Sequence, residues 1–341
     1  MMTAVGLTAA ETASSVRSRT TRFSESALRD RHFEPYVLAE VPADGLPPLE
    51  PSLVAARGIT ARERRMLRLA TMPLRECLAP LARAGVGGLS LCLALPETDT
   101  PSPLDPKAFL HRLASQVANA FVPDRSDASH VGRAGGVAAV GQGVLAIHAG
   151  TADFIIAGGI DSYRDPYVLG TLELEQRVKS ETSFDGFVPG EGAAFVLLAR
   201  GDAAATRGLP ILATVSPVAL GFERGHLYSE EPYRGDGLAA TLAQLISPSG
   251  APFGDVYSSM NGESHWAKEW GVGYIRNRAK VEDGYTMHHP ADCFGDTGAA
   301  CGPLLTGLAA LGHRNGSRSP AALVYGSSDR GARAAIAVTA A

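Results

Sequence analysis

Residues 183–200 read SFDGFVPGEGAAFVLLAR. A turn built from Gly and Pro enters a strand that carries no charge between Glu191 and Arg200. An uncharged apolar run of this kind predicts a strand buried on both faces, as in the sheets of α/β proteins. The entry, Gly190-Glu191-Gly192, reads as a tight turn whose Glu is buried and hydrogen-bonded to backbone.

Working outward, residues 150–161 read GTADFIIAGGID, a second buried strand ending in Gly-Gly. Before it stands VGRAGGVAAVGQG (131–143), a Gly-flanked turn opening a small-residue helix expected over 134–149, with Gly150 as its terminator. A turn of that shape presents a reactive side chain at a helix N-terminus, yet the residue there is Arg133.

Further upstream, Thr60 and Glu63 form a Thr-x-x-Glu capping box. Apolar residues at 66, 69, 70, 74, 77 and 81 continue it as a helix, with Pro73 and Pro80 expected to kink it and Gly85 to end it. Residues 87–97 predict a buried strand. Asp105 and Pro106 open the next helix, whose stripe is Phe109, Leu113, Val117 and Phe121. The second half repeats the plan: strand-like 210–220, a helix at 236–246, a strand entering a loop at 255–264, a small-residue helix at 296–312, and two strands around a Gly turn at 321–340. The repeated order predicts an α/β fold of two similar halves with mostly parallel sheets.

The chain has 341 residues, 45% hydrophobic and 19% charged, with net charge −4. That is enough chain for a sizeable core, and it lacks the basic blocks that bind nucleic acid or anionic membrane surfaces. No apolar run is long enough for a transmembrane helix, and the start lacks a secretory pattern, so a cytoplasmic protein is expected. The four Cys (77, 92, 293, 301) show no metal-like spacing and read as buried thiols. His288, His289 and Cys293 are too few for a metal site, and the two histidines read as exposed loop residues; neither metal nor cofactor is expected. His148 reads as a packed helix residue. The stretch NGESHWAKEWG (261–271) carries both Trp residues, either as a partner-binding loop or packed beneath the site.

The order of these motifs resembles the thiolase-like superfamily, and within it the β-ketoacyl synthases. Phe184, Asp185, Gly186, Phe187, Gly190, Glu191, Gly192 and Ala193 are the most specific match; TAVGLTAAETASS, RRMLRLATMPLRECLAPLARAG, GTADFIIAGGIDSY, GDTGAACG and YGSSDRGARAAIAV follow in family order. The resemblance implies a five-layered αβαβα sandwich, with halves at 1–202 (including dimerisation and cap insertions) and 203–341. It also implies a dimer paired through strands of the first half.

The family's condensing chemistry uses a Cys at the N-terminus of the central helix, where the helix dipole favours thiolate. Two His, or a His and an Asn, then stabilise the enolate. Counting back from Gly158 by the family's spacing lands on Arg133, which is neither nucleophile nor base. The first His position reads Asn261, in Asn261-Gly262-Glu263. The second reads Gly295 or Asp296, and the family's upstream Lys reads Pro290. A buried cation at a helix N-terminus calls for an acidic partner, and Glu263 or Asp296 is expected to supply it, plugging the pocket.

The resulting expectation is a non-catalytic synthase-like protein, a pseudoenzyme acting through protein binding. The resemblance implies three kinds of partner: a second thiolase-like subunit in a homodimer or heterodimer, a bacterial type VI secretion effector for which the chain is an adaptor, or an acyl carrier protein. The contrasting reading is an acyltransferase-type enzyme, or a partner subunit in fatty-acid or polyketide synthesis, acting on acyl thioesters without a Cys.

Overall fold

A computed structural model describes residues 1–98, 103–247, 250–316 and 319–341. The first half runs β1 (Met2–Thr3), α1 (Ala9–Arg17), β2 (Ser24–Arg29), β3 (Pro35–Leu38), α2 (Pro51–Ala55), α3 (Ala61–Arg83), β4 (Leu91–Leu95), α4 (Pro106–Gln116), β5 (Asp127–His130), α5 (Gly132–His148), β6 (Phe154–Ser162), α6 (Pro166–Leu174) and β7 (Glu191–Ala199). The second half runs α7 (Gly201–Thr206), β8 (Ala213–Val215), β9 (Ala219–Phe222), α8 (Asp236–Gln244), β10 (Phe253–Ser258), α9 (Ser264–Arg276), β11 (Val281–His288), α10 (Ala291–Phe294), α11 (Cys301–Arg314), β12 (Ala321–Ser327) and β13 (Ala332–Ala340).

Two large sheets result, sharing one pattern, and β2 and β3 form a separate antiparallel pair. The first is ordered β1-β7-β6-β4-β5, the second β11-β10-β12-β13 with β8 and β9 both on β13. In each, three strands run parallel (β5, β4, β6; β11, β10, β12) and the following pairings are antiparallel. The sheets are therefore mixed rather than mostly parallel. Each half returns its last strand directly beside the preceding one, and an antiparallel neighbour needs no crossover helix.

Side-chain alternation builds the layers. Leu91, Leu93 and Leu95 face α3 and α4, while Cys92 and Ala94 face the molecule's centre. In the second sheet Leu323 and Tyr325 face α8 and α9, and Ala322 and Val324 face inward. The inner faces enclose α5 and α11, giving helices, sheet, helices, sheet, helices: the αβαβα sandwich. α5 is apolar and buried through most of its first three turns, as a helix held between two sheets must be, and is exposed at Gln142, Leu145 and His148. It crosses α11 where neither helix can carry a side chain. A Cβ on Gly302 would lie 2.1 Å from the Val137 nitrogen, and one on Gly136 would lie 2.6 Å from the Ala299 carbonyl oxygen.

Local signals mostly operate as expected. Thr60 Oγ1 accepts from the Glu63 amide at 3.0 Å, but Glu63 turns away to Arg112 at 2.6 Å, so the capping box is half formed. α3 runs continuously through Pro73 and Pro80. Gly85 and Gly150 adopt φ of +66° and +70°, ending α3 and α5. The expected strand at 210–220 is two strands interrupted at Ser216, which keeps its pairing to Ala337 through backbone and hydroxyl. The stretch 261–271, weighed as a partner-binding loop, mostly belongs to helix α9, Ser264–Arg276. His148 is exposed, not packed. His288 ends β11, stacks on Tyr257 and bonds Asp255 at 2.8 Å rather than lying free in a loop. Among the described residues no helix is long and apolar enough to cross a membrane.

Gly302→Ala is expected to destabilise the chain by about 2–3 kcal/mol or to prevent folding, since the new methyl runs into the α5 backbone at Gly136 and Val137. Urea unfolding of the variant beside the parent checks this.

Candidate functional site

The turn at 131–133 is what the sequence drew attention to, and the structure seals it. Gly132, at φ +64°, turns the chain into α5 and leaves no room for a Cβ beside Glu97. The Ala134 amide donates to Ser328 Oγ at 2.9 Å, and that hydroxyl donates onward to the Val131 carbonyl. The helix N-terminus is thereby occupied.

Arg133 is 3% exposed and spans the site. Its Nε donates to the Ser327 carbonyl at 2.9 Å, its Nη1 to Asp296 Oδ2 at 2.6 Å, and its Nη2 to Asp329 Oδ1. The guanidinium also lies over the Trp266 ring, 4.7 Å from its centroid. The two carboxylates hold its pKa well above the ordinary value against the opposing effect of burial, so it is permanently charged.

Glu263, the other expected partner, is taken by Arg177. Nε and Nη2 of Arg177 donate to its two oxygens at 2.7 and 2.9 Å, a bidentate pair. Arg177 Nη1 also donates to Asp329 Oδ2 at 2.8 Å and to the Tyr228 hydroxyl at 2.9 Å. Asn261 ties the pairs together: its Nδ2 donates to Glu263 at 3.0 Å and to Asp296 at 2.8 Å. Asp296 Oδ1 accepts the Gly298 amide at 2.8 Å, and Trp266 Nε1 donates to Glu263 at 2.9 Å. Both Trp side chains are buried rather than exposed to a partner: Trp266 packs against the site, and Trp270 stacks on Tyr325 in the core beneath α8 and α9.

Sequence reasoning thus named Arg133, Asn261, Glu263 and Asp296, and the structure joins all four. It missed Arg177 and Asp329. Asp329 sits in Ser-Ser-Asp-Arg-Gly, which reads as an ordinary turn; Arg177 sits in a charge-dense stretch that reads as surface. Gly295 contributes only backbone, its φ of +70° fitting it against the Val188 carbonyl. Pro290 caps α10.

The motif at 183–200 is structural scaffolding for this cluster. Asp185 accepts from the Ser264 amide and hydroxyl, both at 2.8 Å, at the start of α9. Those hydrogen bonds hold its carboxyl below the usual range. The Gly190 amide donates to the Asp296 carbonyl at 2.9 Å, and a Cβ there would strike the Phe294 carbonyl. Glu191 is buried and accepts from Arg65 Nε at 2.6 Å, the Val41 amide at 2.8 Å and Ser162 Oγ at 2.7 Å. Gly192 pairs with Thr3, its Cα pressed against the Met2 carbonyl.

Beside Arg133 a cavity of about 100 Å³ remains, walled by Tyr163, Val168 and Leu172 and rimmed by Arg62, Glu97 and Tyr228. Binding pockets for drug-sized ligands run to about 300–1,000 Å³. A thiol does stand at the head of the other central helix, Cys301. Burial, reinforced by Asp296, pushes it far above its ordinary value, so the helix position does not yield a thiolate. Among the described residues no group of three or more His, Cys, Asp or Glu side chains is placed so that it could hold a metal ion.

Residues 132–204 match the model described as "Beta-ketoacyl synthase, N-terminal domain". The chain is similar in structure to "The ishigamide ketosynthase/chain length factor", with TM-score 0.79 at 14% identity over 100% of this chain and 97% of that one. It is similar to "AntDE:AntF (apo): type II PKS acyl-carrier protein in complex with its ketosynthase bound to the hexaketide" (0.78, 14%, 99% and 97%). It also resembles "Streptomcyes albus JA3453 oxazolomycin ketosynthase domain OzmH KS7" (0.73, 15%, 97% and 72%). The chain therefore has the thiolase-like fold in its ketosynthase form.

Arg133→Met is expected to cost about 3–5 kcal/mol, because Asp296 loses its cation while still buried; chemical denaturation measures it. The pH dependence follows from Asp329, whose carboxyl the flanking guanidiniums hold down to about 2 against burial, from an ordinary 3.8. Its stabilisation is complete above the ordinary value and is lost as pH falls towards 2. In acid denaturation the parent should lose more stability across that window than Asp329→Asn.

Proposed function

We propose that the chain is a non-catalytic ketosynthase-like protein that acts by binding another protein. The observation carrying this reading is Arg133, locked between Asp296 and Asp329 where the resembled family places its thiolate. Two further positions support it: Asn261 and Asp296 are committed to the network, and Asp296 would repel an enolate rather than stabilise it. We take residues 1–202 and 203–341 as the two thiolase-like halves, in keeping with the sheets' repeated order.

The partner we favour is another ketosynthase-fold chain, a second copy or a relative. One flank of α5 is covered by α11, while the other lies between two sheet edges. Gln142 Nε2 donates to Asp127 of edge strand β5 at 3.2 Å, and Gly141 is pressed against Val218 just before β9. Leu145, Leu220 and Phe222 are 52%, 53% and 59% exposed on this flank. Leu220 and Phe222 alternate with Ala219, which packs in the core beside α8, and with Gly221, which abuts Thr241 of α8. They therefore point to the face that carries α5. A free strand edge beside exposed apolar side chains is a template for pairing. Two of the similar structures carry names of paired or complexed synthases, which agrees with such a role. A secretion effector and an acyl carrier protein are the other partners to test.

Light scattering on the purified chain should give a dimer, alone or after mixing with a ketosynthase-fold relative, and the Leu220→Glu/Phe222→Glu variant should be monomeric. Incubation with acyl and malonyl thioesters should give neither turnover nor a covalent acyl adduct by mass spectrometry. Steady release of free thiol would sink the non-catalytic reading.

A further inference from the structure

The docking face and the buried ion-pair network meet at one place. Phe222 ends β9, and its ring lies so close to Gly331 that a Cβ there would be 2.8 Å away. The next residue, Glu223, is 2% exposed; its amide donates to the Gly331 carbonyl at 2.7 Å, and its carboxylate accepts the Gly237 amide at 2.8 Å. Gly331 closes the turn that begins at Ser328, its amide donating to the Ser328 carbonyl at 3.3 Å. Arg333 Nη1 donates to that same carbonyl at 2.7 Å. Between those residues stands Asp329, which accepts from both Arg133 and Arg177. The strand edge offered to a partner therefore staples the turn that supplies the network's shared carboxylate.

We infer that docking of a second ketosynthase-fold chain over Leu220 and Phe222 and closure of the Asp329 clamp are thermodynamically coupled. The inference rests on the docking face proposed above. β9 is an edge strand whose pairing with β13 spans four residues, Ala219 to Phe222. Its last pair, Phe222 with Ala332, holds the turn at 328–331 against the core. A chain seated on Phe222 favours the paired edge, and the paired edge favours Asp329 between its two guanidiniums. Linkage makes the effect reciprocal: whatever loosens Asp329 weakens docking, although Asp329 is 8% exposed and lies off the docking face. The partner then sets how firmly the two halves of the chain are clamped, and the clamp sets how well the partner is held.

A double-mutant cycle on the dimer tests this, with dissociation constants from analytical ultracentrifugation of the full chain. Asp329→Asn should weaken association about tenfold, within the range of ordinary allosteric coupling. In a Phe222→Ala background the same substitution should change it less than about twofold. Equal affinity of Asp329→Asn and parent, or the same loss in both backgrounds, overturns the coupling. Arg177→Lys, which keeps the charge but loses the bidentate geometry, replaces Asp329→Asn if circular dichroism shows that variant unfolded. A parent that stays monomeric with every ketosynthase-fold chain tried removes the docking face, and the coupling with it. A dimer insensitive to both variants removes the coupling alone.

Discussion

Arg133 and Arg177 come from before residue 203, and Glu263, Asp296 and Asp329 from after it. The two halves of the sandwich are thus joined across their boundary by cations on one side and carboxylates on the other. Buried ion pairs contribute little net stability compared with an apolar replacement, because desolvation offsets their attraction. Their effect is on specificity: each group is costly to bury alone, so the halves must meet in the one register that satisfies all five. Asn261 enforces that register by bonding two of the carboxylates at once.

The network can exist only because the surrounding backbone comes so close. Small residues line the inner faces of both sheets, and the α5–α11 crossing tolerates no side chain at Gly136 or Gly302. Gly298, at φ +49°, sits where a Cβ would be 1.9 Å from Asp161 Oδ2. That approach lets the Gly298 amide reach Asp296 and the Ala299 amide reach Asp161 at 3.0 Å.

The fold was legible because its signals are local and repeated. Uncharged apolar runs in β4 and β7, glycines at helix ends and a motif order duplicated between halves are all readable without knowing what packs against what. The mixed strand directions were not legible, since a hydrophobic run does not encode the direction of its neighbour. Helix α9 was hidden because its two Trp and two Gly residues lower helix propensity and resemble a loop. At the site, Arg133 announced itself as a charge in an apolar helix, and its need for acid could be argued. Which acid could not: Asp296 and Asp329 are 163 and 196 positions away, brought in by β-strand register alone.

On the non-catalytic reading proposed above, the same geometry explains why position 133 is not one substitution away from a synthase site. A cysteine at 133 would inherit the α5 N-terminus, whose dipole favours thiolate by up to about 1–2 kcal/mol. It would also inherit Asp296, now without its cation, and Asp329, left with Arg177 alone, and two carboxylates a few ångströms away raise a thiol's pKa by more than the dipole lowers it. The Ala134 amide, a natural donor to a developing oxyanion, is already spent on Ser328. Asn261 could not turn to a substrate without releasing Glu263 and Asp296 together. Recovering condensing chemistry therefore demands concerted change at Arg133, Asp296, Asp329 and Ser328. Those four positions all touch the seam between the halves, so a chain that regained the nucleophile piecemeal would pass through intermediates with uncompensated buried charge.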